Sequence, residues 1–292
     1  MEGCAFMDVA NRMIPAVFTA LYCPVTSQPQ KDDVEYPNGN WCSSVVGYQA
    51  QSFVQNMNFR CAAFVPVGKE RAAMTLGDFT PNEDFVNSSI MFLTTGGATA
   101  RTTFDGAKVP ETYVYWTEDD EPEDGAGWYL AADDDATVNQ NDKVVPFGQA
   151  FCVTRTETET DATLTTAGEV QDTPVTLSFV QNMNFVGNCS PVDLTLGDIT
   201  PNEDFVNSSI MFLTTGGATA RTTFDGATVP ATYVYWTEDD EPEDGAGWYL
   251  SADDDATVSQ NAVPVPAGQA FCVTRTETET DATLTIPAAI TK

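Results

Sequence analysis

Histidine is absent from all 292 residues. That removes the commonest general base and the commonest metal ligand. Ser–His–Asp and Cys–His catalysis and histidine-ligated zinc are thereby excluded, and only carboxylate or lysine chemistry remains. Basic residues are scarce: 12 Lys and Arg stand against 43 Asp and Glu, for a net charge of −31. A chain so poor in cations lacks the basic footprint that phosphate backbones and anionic lipid require. No run of 18 apolar residues occurs, so no helix span is expected. No Cys-x-x-Cys occurs either, which leaves redox catalysis and zinc ribbons without support.

What is present is a repeat. Phe53-Val-Gln-Asn-Met-Asn-Phe59 returns as Phe179-Val-Gln-Asn-Met-Asn-Phe185 at an offset of 126. From Thr80 the offset is 120, so the first copy carries six extra residues. Between residues 80 and 138 only Lys108, Glu111 and Ala131 change, to Thr228, Ala231 and Ser251. The natural division is an N-terminal arm, residues 1–44, then repeats at 45–168 and 169–292. The apolar segment Met13–Val25 is like a signal core, but Glu2 and Asp8 offset Arg12. It is read as part of the folded product, with any export signal upstream or the start misassigned.

Each copy reads as short strands between turns. Ser52–Phe59 partly alternates, Ser89–Thr94 is a short apolar run, and Thr112–Thr117 is aromatic and β-branched. Ala100–Phe104 ends at Asp105-Gly106, a hairpin signal. Gly127–Leu130, Ala150–Thr160 and Asp161–Thr165 follow. Strands at this spacing predict an all-β chain of two tandem sandwich domains, Ig-like or jelly-roll-like. The one helix candidate, Phe6 to Leu21, is interrupted by Pro15.

Of the seven cysteines, Cys152 and Cys272 are equivalent, and Cys61 and Cys189 nearly so. The expected bridges are Cys61–Cys152 and Cys189–Cys272, one per repeat, implying an oxidising compartment. The competing reading is buried free thiols. Cys23–Cys42 is the preferred third pair, and Cys4 is left over.

Carboxylates cluster on either side of the Gly-Trp-Tyr-Leu strand. Asp119, Asp120 and Asp124 precede it, and Asp133, Asp134 and Asp135 follow, with Asn139 and Asn141 behind. The second copy has Asp239, Asp240, Asp244, Asp253, Asp254 and Asp255, with Asn261. Such oxygen-rich turns suit Ca²⁺, although they lack the EF-hand spacing. The plainer alternative is solvated acidic turns. Tyr113, Tyr115, Trp116, Trp128 and Tyr129 form either a sugar platform or core. Asn87, Asn188 and Asn207 sit in N-glycosylation patterns, and the many Ser and Thr residues offer O-glycan sites.

Val45-Val-Gly-Tyr48, Asn56-Met-Asn-Phe59, Leu76-Gly-Asp-Phe-Thr-Pro81 and Gly148-Gln-Ala-Phe-Cys-Val153 form a set. It resembles tandem-repeat surface proteins of bacteria such as Verrucomicrobia and Lentisphaerae. The resemblance covers both repeats but not residues 1–44. It implies a secreted, β-rich surface or filament protein with no catalytic residues to carry over.

The expectation is therefore a non-enzymatic extracellular subunit that polymerises head-to-tail, its arm completing a neighbour's sheet, with Ca²⁺ at the acidic loops. The alternative is an adhesin-like carbohydrate-binding module. A third reading is an acidic hydrolase using Asp133 or Asp253.

Overall fold

The computed structural model describes residues 6–7, 20–21, 46–64, 73–85, 88–93, 111–158, 161–205, 207–213, 231–278 and 281–289. Among these the chain is all-β. Every strand pairing is antiparallel, and the only helical pieces are three-residue 3₁₀ turns.

Two short strands come first, β1 (Phe6–Met7) and β2 (Ala20–Leu21). Repeat one then runs β3 (Val46–Ser52), β4 (Asn56–Cys61), β5 (Met74–Thr75), β6 (Phe79–Pro81) and β7 (Ser88–Phe92). It continues with β8 (Thr112–Trp116), β9 (Gly127–Leu130), β10 (Val144–Val145), β11 (Ala150–Arg155) and β12 (Thr163–Glu169). Repeat two restates the order: β13 (Val175–Ser178), β14 (Asn182–Gly187), β15 (Leu194–Thr195), β16 (Thr200–Pro201) and β17 (Ser208–Phe212). It closes with β18 (Thr232–Trp236), β19 (Gly247–Leu250), β20 (Pro264–Val265), β21 (Ala270–Arg275) and β22 (Thr283–Ile286).

Each repeat holds a five-stranded sheet, β4-β11-β7-β8-β9 or β14-β21-β17-β18-β19. A second sheet, β1-β2-β3-β12-β6 in the first half and β13-β22-β16 in the second, shares a core with it, and β5 with β10 and β15 with β20 form two-stranded sheets. In repeat one Ile90, Trp128, Phe151 and Val153 meet Phe79 and Leu164. Phe79 and Phe151 pack edge-on, with centroids 5.5 Å apart.

The expected continuous strand over Ser52–Phe59 is broken at Phe53–Gln55. Asn56 takes φ 70°, a left-handed conformation that asparagine tolerates better than most. Asn58 is fully buried. Its Nδ2 donates to the carbonyls of Val54 (2.7 Å) and Asn56 (2.9 Å), and its Oδ1 accepts from Val54 N–H (3.0 Å). Asn184 repeats these bonds in repeat two. The motif is thus a pinned corner between two sheets, and the buried amide is satisfied by backbone.

Residues 8–19 of the helix candidate Phe6–Leu21 lie outside the described residues. At its ends Phe6 pairs with Leu21 and Met7 with Ala20, and Leu21 also pairs with Val46. The Asp105-Gly106 hairpin lies outside the described residues, as do Cys4, Cys23 and Cys42.

Phe151, Cys152 and Val153 are all fully buried, so β11 does not alternate between core and solvent. Val153 faces its own repeat's core. Cys152 faces the other way, into a cluster shared by both repeats. Met57, Phe59, Met91 and Cys152 meet Met183, Phe185, Met211 and Cys272 there. The five-stranded sheets therefore pack back to back, and each is buried on both faces.

The junction is an approximate two-fold. Cys61 N–H donates to Gly268 O (2.9 Å), and Gly187 N–H, its counterpart, donates to Gly148 O (3.2 Å). Arg60 bridges to Gln269 as Val186 does to Gln149. Gly148 and Gly268, at φ 75° and 72°, form the turns that approach the opposite repeat. A two-fold contact uses the same patch on both halves and closes on itself, so this face is consumed within the chain.

At the axis, position 187 has no room for a side chain. A Cβ there would run into Cys61 Cβ and stand 2.8 Å from Gln269 O. Gly187→Ala is expected to destabilise the chain by about 1–3 kcal/mol in urea unfolding. Cys61→Gly in the same chain should recover part of the loss. Additive losses in that double variant would show the two positions not to be in conflict.

Candidate functional site

The acidic loops are held by their own carboxylates. Asp120 Oδ2 accepts from Thr117 N–H and Oγ1, both at 2.7 Å. The backbone N–H of Thr117, then its hydroxyl, holds the Asp120 carboxyl below its ordinary range, and Thr237 does the same for Asp240. Glu118 Oε1 accepts from Ala126 N–H at 3.2 Å. Asp133 Oδ2 accepts from the N–H groups of Thr137 (2.9 Å) and Val138 (3.2 Å). Asp124 and Asp244 accept from Asn139 and Ser259 N–H at 3.4 and 3.2 Å. Asp253 repeats the bonds of Asp133. These are turn staples. Asp119, Asp134, Asp135, Asp239, Asp254 and Asp255 are exposed on the turn tips. Among the described residues no three carboxylates or thiols converge as a metal site would require.

Asn141 and Asn261, taken from sequence as companions of those carboxylates, do other work. Asn141 Oδ1 accepts from Trp128 N–H (3.0 Å), and Trp128 O accepts from Gln140 N–H (2.7 Å). Asn261 and Gln260 do the same at Trp248. The outer edge of β9, and of β19, is thereby occupied by its own following loop.

The aromatic residues divide. Trp128 is fully buried and its Nε1 donates to Phe79 O at 3.0 Å. Tyr129 is equally buried, and its hydroxyl donates to Gly125 O at 2.7 Å. Tyr113 is also core. These three are not a sugar platform, because their rings are buried and present no face to solvent. Tyr115 and Trp116, with their counterparts Tyr235 and Trp236, remain half-buried.

Those two counterparts wall a groove of about 480 Å³ at the end of β18. Phe205 lines it, packed edge-on against Trp248 at 5.8 Å. Glu203, Asn207 and the Thr237–Asp240 cap supply its polar lining. Behind it, buried Arg275 donates from Nη1 to Asp204 O (3.1 Å) and Ser208 Oγ (3.3 Å). Asn202 ties the same turn to β22, accepting from Thr283 N–H and donating to Asp281 O, both at 2.8 Å. The groove residues were not singled out together by sequence reasoning. The signal available was Thr-Pro-Asn-Glu-Asp-Phe followed, about 30 residues on, by Tyr-Val-Tyr-Trp-Thr, spelled the same in both copies.

Cys61, Cys152, Cys189 and Cys272 are all buried free thiols, so the expected Cys61–Cys152 and Cys189–Cys272 bridges are not formed. Register is the reason. Cys61 lies opposite Ala150 and Cys152 opposite Phe59, two positions down the strand. Cys272 lies opposite Phe185, whereas Cys189 comes after β14 has ended. Cys61 instead sits with Cys189 in the core of repeat two. Without bridges, these thiols lend no weight to an oxidising compartment.

Asn188 is buried too. Its Nδ2 donates to Val265 O (2.9 Å) and its Oδ1 accepts from Ser190 N–H (3.0 Å), which removes it as a glycan acceptor in the folded chain. Asn207 is exposed, with φ 61° and a 3.4 Å bond to Glu277. Asn87 lies outside the described residues.

Compared with family models, curated proteins and solved structures, the chain matches none.

Burial pushes the Cys152 and Cys189 thiols up to about 12 and Cys272 to about 11. Since the thiolate is the nucleophile, alkylation of these three in native protein at pH 8 should be at least about a hundredfold slower than in urea. Mass spectrometry after timed iodoacetamide labelling reads this directly. Labelling of all three at the unfolded rate would contradict their burial.

Lowered carboxyls give stability that is present above their unfolded pKa and lost as pH falls through the folded one. Acidification into that range should release the 117–120 and 237–240 turns first. Amide exchange at Thr117 and Thr237, whose N–H groups donate to Asp120 and Asp240, should then rise before exchange in β11 and β21. Simultaneous release of turn and core amides would count against the staples.

Proposed function

We propose that the chain is a non-enzymatic structural subunit that assembles with its own copies by strand addition, outside the cell. Each repeat is read here as a β-sandwich, and the pair as one rigid block.

The observation that carries this reading is an inequality between the repeats. The edge of β3 is extended by β2 through Leu21 and Val46. The equivalent strand, β13, has no strand on its outer edge among the described residues. Other edges are dealt with. Following loops cap β9 and β19, β4 and β14 abut the junction, and β6 and β16 are two or three residues long and include a proline. An unpaired edge offers a row of backbone donors and acceptors, and a neighbour's β-capable arm is the segment of matching chemistry.

Self-repulsion at a net charge of −31 opposes such assembly unless cations screen it. Ca²⁺ enters the proposal between subunits, at the exposed Asp134, Asp135, Asp254 and Asp255, and not within one loop. The extracellular setting rests on the resemblance to bacterial surface proteins.

Negative-stain microscopy of the full chain with Ca²⁺ should show polymers that a chelator disperses. Deleting residues 1–24 should leave folded, dispersed particles with unchanged circular dichroism. Polymers that persist without the arm would end the strand-addition reading, and dispersed full-length particles at high concentration with Ca²⁺ would end the assembly reading.

A further inference from the structure

We propose that the groove at the end of β18 binds a neutral oligosaccharide, and that the first repeat carries a second such site.

Its volume, about 480 Å³, falls in the range of about 300–1,000 Å³ usual for small-molecule sites. Its lining is of two kinds. Tyr235, whose ring packs on Trp248 at 5.3 Å, offers ring surface, with Phe205 beneath, while Glu203, Asn207 and Asp240 offer oxygen and nitrogen. A sugar ring presents the matching pair of surfaces. Its C–H faces stack on aromatic rings, and its hydroxyls donate to carboxylates and amide oxygens. The turn that carries Glu203 and Phe205 is already fixed by Arg275 and Asn202. Little ordering remains to be done when a ligand enters.

Other ligand classes fit less well. Anionic glycans and nucleotides face a strongly acidic chain and two carboxylates at the groove itself. A hard cation wants six or more oxygens. Here Asp240 Oδ2 is taken by the N–H and hydroxyl of Thr237 (2.8 and 2.7 Å), and no three carboxylates converge among the described residues. A purely apolar ligand would cover the Glu203 carboxylate and desolvate it without compensation.

The counterparts in repeat one, Glu83, Phe85, Tyr115 and Asp120, are the same residue types at an offset of 120. In repeat one Asp120 holds the same cap and Phe85 the same edge-on contact with Trp128, at 5.9 Å. Two equivalent sites on one block would favour polymeric glycans over short ones through linkage of two weak events.

The test is titration calorimetry of the intact chain with cellotetraose, laminaritetraose and mannotetraose, each tried separately. At least one should bind with two sites per chain. Tyr235→Ala and Tyr115→Ala should each leave one site, and the double variant none. Glu203→Gln, which leaves the aromatic packing alone, should weaken the site in the second repeat about fivefold, a little under 1 kcal/mol; it keeps the question open to measurement if a tyrosine variant unfolds. Absence of binding to all three probes at about 10 mM, near the weakest affinity such a site would need to be useful, would overturn the proposal. So would binding that is indifferent to Tyr235→Ala and Glu203→Gln. Failure here leaves the assembly reading standing, because polymers are scored separately by microscopy.

Discussion

The back-to-back contact between the two five-stranded sheets is what the rest of the molecule depends on. Met57, Phe59, Met91 and Cys152 find their partners in the same residues of the other copy, Met183, Phe185, Met211 and Cys272. Methionine suits such a seam because its unbranched thioether adapts to irregular gaps. Each sheet is thereby buried on both faces, which is the condition that permits runs such as Phe-Cys-Val with no polar alternation. Once that seam is closed, everything available for function lies at the sheet ends, the turns and the remaining edges. The groove beside Trp236, the stapled acidic loops and the outer edge of β13 are all of that kind.

Much of the strand inventory was legible. Thr112–Trp116 and Gly127–Leu130 appear as their composition suggests, because aromatic and β-branched runs between acidic turns have few other ways to bury themselves. The corner at Asn56 was not legible, since Phe-Val-Gln-Asn-Met-Asn-Phe reads as a strand until one knows that Asn58 turns inward to hold Val54. The repeat was plain, but the relation between its copies was not. A two-fold and a translation produce the same sequence, and only the placement of Cys152 and Phe59 on the face away from their own core distinguishes them.

The cysteines and carboxylates show why residue type alone misled. Equivalence between copies suggested bridges within each repeat, yet register sets Cys152 against Phe59 and sends Cys61 into the neighbouring core. Likewise, runs of Asp looked like ligands in search of a cation. Much of their acceptor capacity is spent on backbone N–H groups three to fifteen residues away, as Asp120 shows with Thr117, Asp133 with Thr137 and Val138, and Asp124 with Asn139. Asparagine that looked like a supporting ligand closes a sheet edge instead. In each case a local hydrogen-bond demand outcompeted the long-range role that composition suggested.

The pairing of the seam with itself has a genetic corollary. Were the copies identical, every seam residue would have to pack against its own image across the axis. Because both halves are spelled in one chain, a substitution in one is not mirrored in the other, and the two sides of the seam can differ. They do so where Cys61 faces Gly187, a knob on one side and a vacancy on the other. At that position the halves are not interchangeable.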